Sequence, residues 1–223
     1  MPQDMRLKSL LAVPFVLFLA CPAVAQKTPG PAPKWFRGKV ETLKGETLAI
    51  KSHDGRAVSF TLAPNVRITA NVRRSLADIR PGDFVGSGGI TKDGKLYAQE
   101  VHIFPEDMRG TAEGQRPMGP NPARKMTNAT VSAVVSAPKR SMTNATVSRI
   151  MGGPGSRILK LKYHGGEAVT IVGPHVPIVA FVAGDQSLLK PGATVLVLAA
   201  KSDKGLTAIF INAEKNGVMP LPL

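Results

Sequence analysis

The sequence predicts an all-β protein built as two small five-stranded barrels in tandem. Three observations carry that expectation. Apolar residues alternate with polar ones over short stretches, and 22 glycines and 19 prolines punctuate them, a pattern of many short strands. A joint of one short helical turn, a Pro-Gly turn and a strand runs from Ser75 to Gly89. It recurs where Gln186 to Gly192 leads into Thr194 to Ala200. Landmarks inside and around the two joints keep a constant spacing of 110 residues: Pro64 and Pro174, Ile68 and Ile178, Pro81 and Pro191, Leu96 and Leu206.

In chain order, Gly38 to Leu43 alternates around Val40 and Thr42, and Lys44-Gly45 turns into Thr47 to Ser52. Asp54-Gly55 is a hairpin turn. Ala57 to Leu62 then places Val58, Phe60 and Leu62 on one face, and Val66 to Val72 continues extended beyond Pro64. After the Ser75 helical turn come Asp83 to Ile90, a turn at Asp93-Gly94, and Leu96 to Phe104. Three strands, a short helix between strands three and four, then two strands is the order of an OB-like barrel. A small β-sandwich has the same periodicity, because alternation gives strands but not their partners.

These patterns divide the chain into a first barrel over 36–105, a linker over 106–125 and a second barrel over 126–217. The linker holds three prolines, with Pro105 just before it, and no Val, Ile or Leu. A tail follows at 218–223. One segment breaks the repeat. Met126 to Ser132 and Met142 to Ser148 are the same seven residues, Met-Thr-Asn-Ala-Thr-Val-Ser. Both alternate as strands. The copy at Met142 is the expected first strand of the second barrel, because Gly152-Gly153-Pro154-Gly155 closes a short hairpin from it. The copy at Met126 is then expected at an edge or loosely held. The Asn-Ala-Thr sequon in each is read as incidental.

Residues 1–25 read as an export signal: Arg6 and Lys8, then an apolar run from Leu10 to Ala20, then Ala23-Val24-Ala25. Cleavage there starts the mature chain at Gln26, with a proline-rich tether over 26–35, and implies a periplasmic or secreted protein. The alternative is a lipoprotein anchored through Cys21. Cleavage removes two cations, one anion and the only cysteine, so the net charge falls from +14 to +13. The mature chain then has no thiol for a disulfide or a metal, and no apolar stretch of membrane-spanning length.

Little catalytic chemistry is visible. Gly86-Ser87-Gly88-Gly89 resembles the setting of a serine nucleophile, and His53-Asp54 precedes it, but in a hairpin turn. A glycine-rich strand bent at a corner is the preferred reading of the segment. No enzyme activity and no cofactor is expected. His53, His102, His164 and His175 show no metal-ligand spacing. His53 and His164 occupy equivalent hairpin positions and are the weak candidates for a metal held between repeats. Basic residues give the stronger hint, with Arg67, Arg73, Arg74 and Arg80 as candidate anion-binding residues and Lys34, Arg37 and Lys39 beside the first strand. Anionic envelope lipids or glycans are the partners that such a surface suits. Nucleic acid is disfavoured by export and by aromatics of only 5%. Phe60 and Phe210 fall on apolar strand faces, leaving Trp35-Phe36 and Tyr163 to stack bases.

Ser75 to Gly86, Glu100 to Glu106 and the two Met-Thr-Asn-Ala-Thr-Val segments together resemble an exported bacterial family of unknown function with OB-like repeats. The likeness covers roughly residues 36 to 217. It implies the fold and export, and no catalytic or ligand residue. Similar chains are sometimes labelled metal-transporter permeases, an activity that a chain without a spanning helix cannot perform alone. Two functions follow as expectations: a non-enzymatic binding or scaffold protein for anionic envelope components, or a soluble accessory to metal handling.

Overall fold

Alternation with a buried face makes strands, and the computed structural model of the chain is all-β. It describes residues 32–136, 155–202 and 205–221. The signal at 1–25, most of the tether at 26–35 and the repeated segment at Met142 lie outside the described residues. Among the described residues twelve strands form one sheet: β1 (Lys34–Lys44), β2 (Thr47–Ser52), β3 (Ala57–Arg74), β4 (Phe84–Lys92), β5 (Lys95–Ile103), β6 (Gly114–Pro117), β7 (Arg124–Ser136), β8 (Arg157–Tyr163), β9 (Gly166–Val172), β10 (Ile178–Ala183), β11 (Thr194–Ser202) and β12 (Gly205–Ala213). Among the described residues the predicted helices shrink to three-residue 3-10 turns, Leu76–Asp78 and Gln186–Leu188, with a third at Glu106–Met108.

The pairings close the sheet on itself twice. β1, β2, β3, β12 and β11 form one ring, closed by β11 on β1, with β3 and β12 parallel. β4, β5, β9, β8 and β7 form the other, closed by β7 on β4, with β5 and β9 parallel. Neither ring is made from one repeat. The last two strands of each repeat complete the ring begun by the other, which departs from the expectation of two barrels folded in tandem. The reason lies in β3. At ~3.3 Å per residue its 18 residues reach up to about 60 Å, several times an ordinary strand. Its far end therefore delivers the joint to the neighbouring ring.

Each ring has its own core. Val40, Leu48, Ile50, Phe60, Ile68, Val195, Val197 and Ile211 fill the first, and Val85, Val101, Ala129, Val131, Leu159, Leu161 and Val172 the second. Each joint plugs the ring it enters, Leu189 the first and Ile79 the second. In the first joint Asp78 accepts from the Ser75 N–H at 2.7 Å and from its hydroxyl at 2.8 Å. In the second Asp185 caps the turn by accepting from the Ser187 N–H at 2.7 Å. These bonds hold both carboxyls below their ordinary range, so they support the fold above the unfolded pKa and lose that effect as pH falls through the folded one.

Between the rings, β10 runs antiparallel to β3 and parallel to β5. Asn71 faces Phe181 at the centre of the β3–β10 pair, and these two positions are themselves 110 residues apart. The same spacing relates Ile211 on Ile68 in one ring to Val101 on Ile178 beside the other. The pairing is thus near-symmetric about the Asn71–Phe181 contact.

Two segments depart from the sequence reading. Residues 106–125 are not a bare linker, because β6 pairs with β7 and the Met108 side chain is buried. The Met126 copy of the repeated segment is the strand in use, not an edge. As part of β7 it pairs with β4, β6 and β8, and Met126, Ala129 and Val131 are buried. Loop length could not select between identical copies, since doubling a loop costs only about 0.6 kcal/mol.

Candidate functional site

A large concave surface forms where the outer faces of the two rings meet across β10. Its side chains are set by two bulges. On β5 the register slips between Ala98 and Glu100, and on β12 between Ala208 and Phe210. An extra residue inverts the alternation, so Val101 and Ile211 still face their cores while Glu100, His102 and Phe210 turn outward. The cleft so formed has a volume of about 820 Å³. Trp35, Phe104, Phe181, Phe210, Met108, Met118 and Met126 supply most of its apolar wall.

The rings continue from one barrel to the other. Trp35 meets Phe210 edge-on at 5.9 Å, Phe210 meets Phe181 at 6.3 Å, and Phe181 touches Phe104 at 5.1 Å and stacks on the His102 imidazole at 5.3 Å. Residues 106–118 wall the open side. Asn128 donates from Nδ2 to the Thr111 carbonyl at 2.9 Å, and Gln115 Nε2 donates to the Thr127 hydroxyl at 3.1 Å. Arg109 ties this wall to the joint, donating to the Gly82 carbonyl and the Thr130 hydroxyl while paired with Glu106. That pairing holds the Glu106 carboxyl below its usual range. At the mouth Arg67 binds Asp107 at 2.7 Å, and Arg116 donates to the Ala112 carbonyl.

Beside the cleft, β4 presents Gly86 and Gly88 outward, opposite His102 and Glu100 on β5 and opposite Asn128 and Met126 on β7. The missing side chains leave space that neighbours fill. A Cβ on Gly86 would lie 2.8 Å from Asn128 Oδ1 and 2.9 Å from the Phe104 ring, and one on Gly88 would lie 2.8 Å from Glu100 Oε1. Glu100, His102 and Asn128 are each at least nine-tenths buried.

The sequence candidates are dispersed. Arg67 lies in the cleft mouth, whereas Arg73 and Arg74 end the same strand, roughly 20 Å along it at ~3.3 Å per residue, with Arg80 in the joint beyond. They do not make one site. A different basic set does converge: Arg37, Lys39, Lys51 and His53 line a groove of about 640 Å³ with no carboxylate in its lining. His164 and His175 are exposed, and among the described residues no three His, Cys, Asp or Glu side chains gather as metal ligands. Ser87 points into the second ring, its hydroxyl 3.2 Å from that of Thr170, away from His53. Asn128 of the first sequon is buried within β7. Phe36 packs on Phe60 inside the first ring and Tyr163 against the second core, so Trp35 alone of the stacking candidates is exposed.

Phe210 was the misplaced residue, read as core. Its orientation had a signal: core positions Leu96, Ala98, Val101 and Leu206, Ala208, Ile211 step by two and then by three, where a regular strand keeps to two. Comparison with known protein families, with characterised proteins and with solved structures finds no match.

Adding a methyl at Gly86 forces Asn128 or Phe104 out of place. Gly86→Ala should lower stability by about 1–3 kcal/mol, read as a lower urea midpoint at unchanged slope. Ala in place of Gly94, which has open space around it but a positive φ of 70°, should cost less than that.

Proposed function

We propose that the chain is an exported, non-enzymatic binding module of OB-like barrels, and that its ligand lies in the cleft between the two rings. The cleft carries the reading. Its volume falls within the range of ~300–1,000 Å³ typical of small-molecule sites, and its wall is aromatic and methionine-rich with a few polar groups at the mouth. Methionine side chains adapt to irregular apolar shapes, and aromatic rings give broad contact at little conformational cost. Export rests on the basic, apolar and small-residue pattern of residues 1–25.

Trp35 is the only tryptophan and lines the cleft, so its emission reports occupancy directly. Titration with an apolar aromatic probe should change Trp35 fluorescence saturably, with Phe210→Ala weakening the response at least tenfold. A linear, non-saturating response in the folded protein, or an unchanged affinity in Phe210→Ala, would contradict the assignment.

The basic groove favours a second reading, attachment to anionic envelope lipids or glycans. Attraction of this kind is screened within ~10 Å at 0.1 M salt. Vesicles containing anionic lipid should retain the protein at low salt and release it at high salt. The triple change Arg37→Ser, Lys39→Ser and Lys51→Ser should reduce retention more than Ser at Arg67, Arg73, Arg74 and Arg80 together. The reverse order would return the surface to the dispersed arginines. A soluble metal-handling accessory stays as the alternative to both readings.

A further inference from the structure

Buried polar atoms are almost always hydrogen-bonded, and a group of orphans in one place calls for a missing partner. Four such atoms belong to three residues paired with the β4 glycines across the sheet: Glu100 Oε1, both ring nitrogens of His102 and Asn128 Oδ1. Their side chains are 5%, 0% and 3% exposed, so solvent does not satisfy them. His102 Nε2 and Glu100 Oε1 are 3.9 Å apart, too far for a hydrogen bond, yet close enough for both to reach one atom between them. Asn128 has a fixed orientation. Its amide nitrogen is committed to Thr111, which leaves the carbonyl oxygen over Gly86, the residue directly opposite His102.

We infer that Glu100, His102 and Asn128 form a buried site for one divalent first-row cation. Each supplies a donor of the correct kind: a carboxylate oxygen, an imidazole nitrogen and an amide oxygen. A set of one nitrogen and two oxygens without sulfur suits Mn²⁺ or Zn²⁺ rather than a soft ion such as Cu⁺. The charge also fits. A carboxylate so deeply buried calls for a positive partner, and among the described residues the ion-pair contact of Glu100 is with the His102 imidazole at 3.9 Å, with no Lys or Arg beside it. Gly86 and Gly88 let the Asn128 and Glu100 oxygens lie close over the β4 backbone, since no side chain from β4 stands in their way. Asn128 and Met126 also line the cleft, so the site adjoins its inner wall. The site differs from the histidine pair that the sequence pointed to, His53 and His164.

The test uses the full chain carrying Cys21→Ser, stripped with chelator and titrated calorimetrically with MnCl₂ and, separately, ZnCl₂. One ion per chain is expected to bind, with a rise in melting temperature on loading. Glu100→Gln keeps the shape and removes the charge, and should weaken binding at least tenfold while its circular dichroism matches the parent. His53→Gln and His164→Gln should bind as the parent does. No saturable binding of either ion to the folded parent protein would overturn the site and leave the polar atoms to ordered water or to a shared proton. Binding abolished by the His53 or His164 change, or unaffected by Glu100→Gln, would equally overturn it.

Discussion

A β-barrel needs its last strand to meet its first, and here that closure is supplied across repeats. The parallel contact of β3 with β12 and the antiparallel contact of β1 with β11 shut the first ring with strands from the far end of the chain. The second ring is shut in turn by β4 and β5. Edges left open would be templates for association. Because each ring borrows two strands, neither can close without the other, and the two cores must form together. Joint, core plug and crossover are thereby one device: Ser75 to Asp83 and Gly184 to Ala193 carry the chain between rings, and Ile79 and Leu189 seal the ring they reach.

Exchange also creates the surface on which the functional readings rest. Holding the rings side by side along β3, β10 and β5 sets their outer faces around one cleft. The near-symmetry of the pairing makes the differences informative. Asn71 and Asn212 join by an amide hydrogen bond of 3.0 Å, whereas at the positions 110 residues away Phe181 stacks on His102. Likewise Glu100 stands where the other half has Phe210. One side of the centre is an amide contact beside an aromatic wall. The other is an aromatic cover over a buried carboxylate and imidazole.

Strand content, the two joints and most core positions were legible in the sequence, because alternation and the 110-residue spacing record which face each side chain takes. Strand partners were not. Both repeats carry the same alternation at strands four and five, so either pair fits either ring without exposing an apolar face. The identical segments at Met126 and Met142 pose the same ambiguity locally, since their alternation suits the place beside β4, β6 and β8 equally. The site was hidden for a related reason. Glu100, His102, Phe210 and Asn128 come together through two bulges and a glycine gap, and only the three-residue steps in the core pattern betray those bulges. Charge counting pointed to Arg67, Arg73, Arg74 and Arg80, which strand geometry then spreads apart.

Cysteine pairing across the closing seam tests the exchange most directly. Lys39 of β1 lies opposite Thr194 of β11, and opposed residues in an antiparallel pair have Cα atoms ~4.5–5.5 Å apart, within disulfide range. In a chain carrying Cys21→Ser, the pair Lys39→Cys and Thr194→Cys should oxidise to a bond within one molecule, identified by mass spectrometry of the linked peptides, while the fold is retained. Had each repeat closed its own ring, residue 39 would lie opposite residue 84, which is 110 before 194. A folded double variant whose thiols stay free under oxidation would then contradict the exchange.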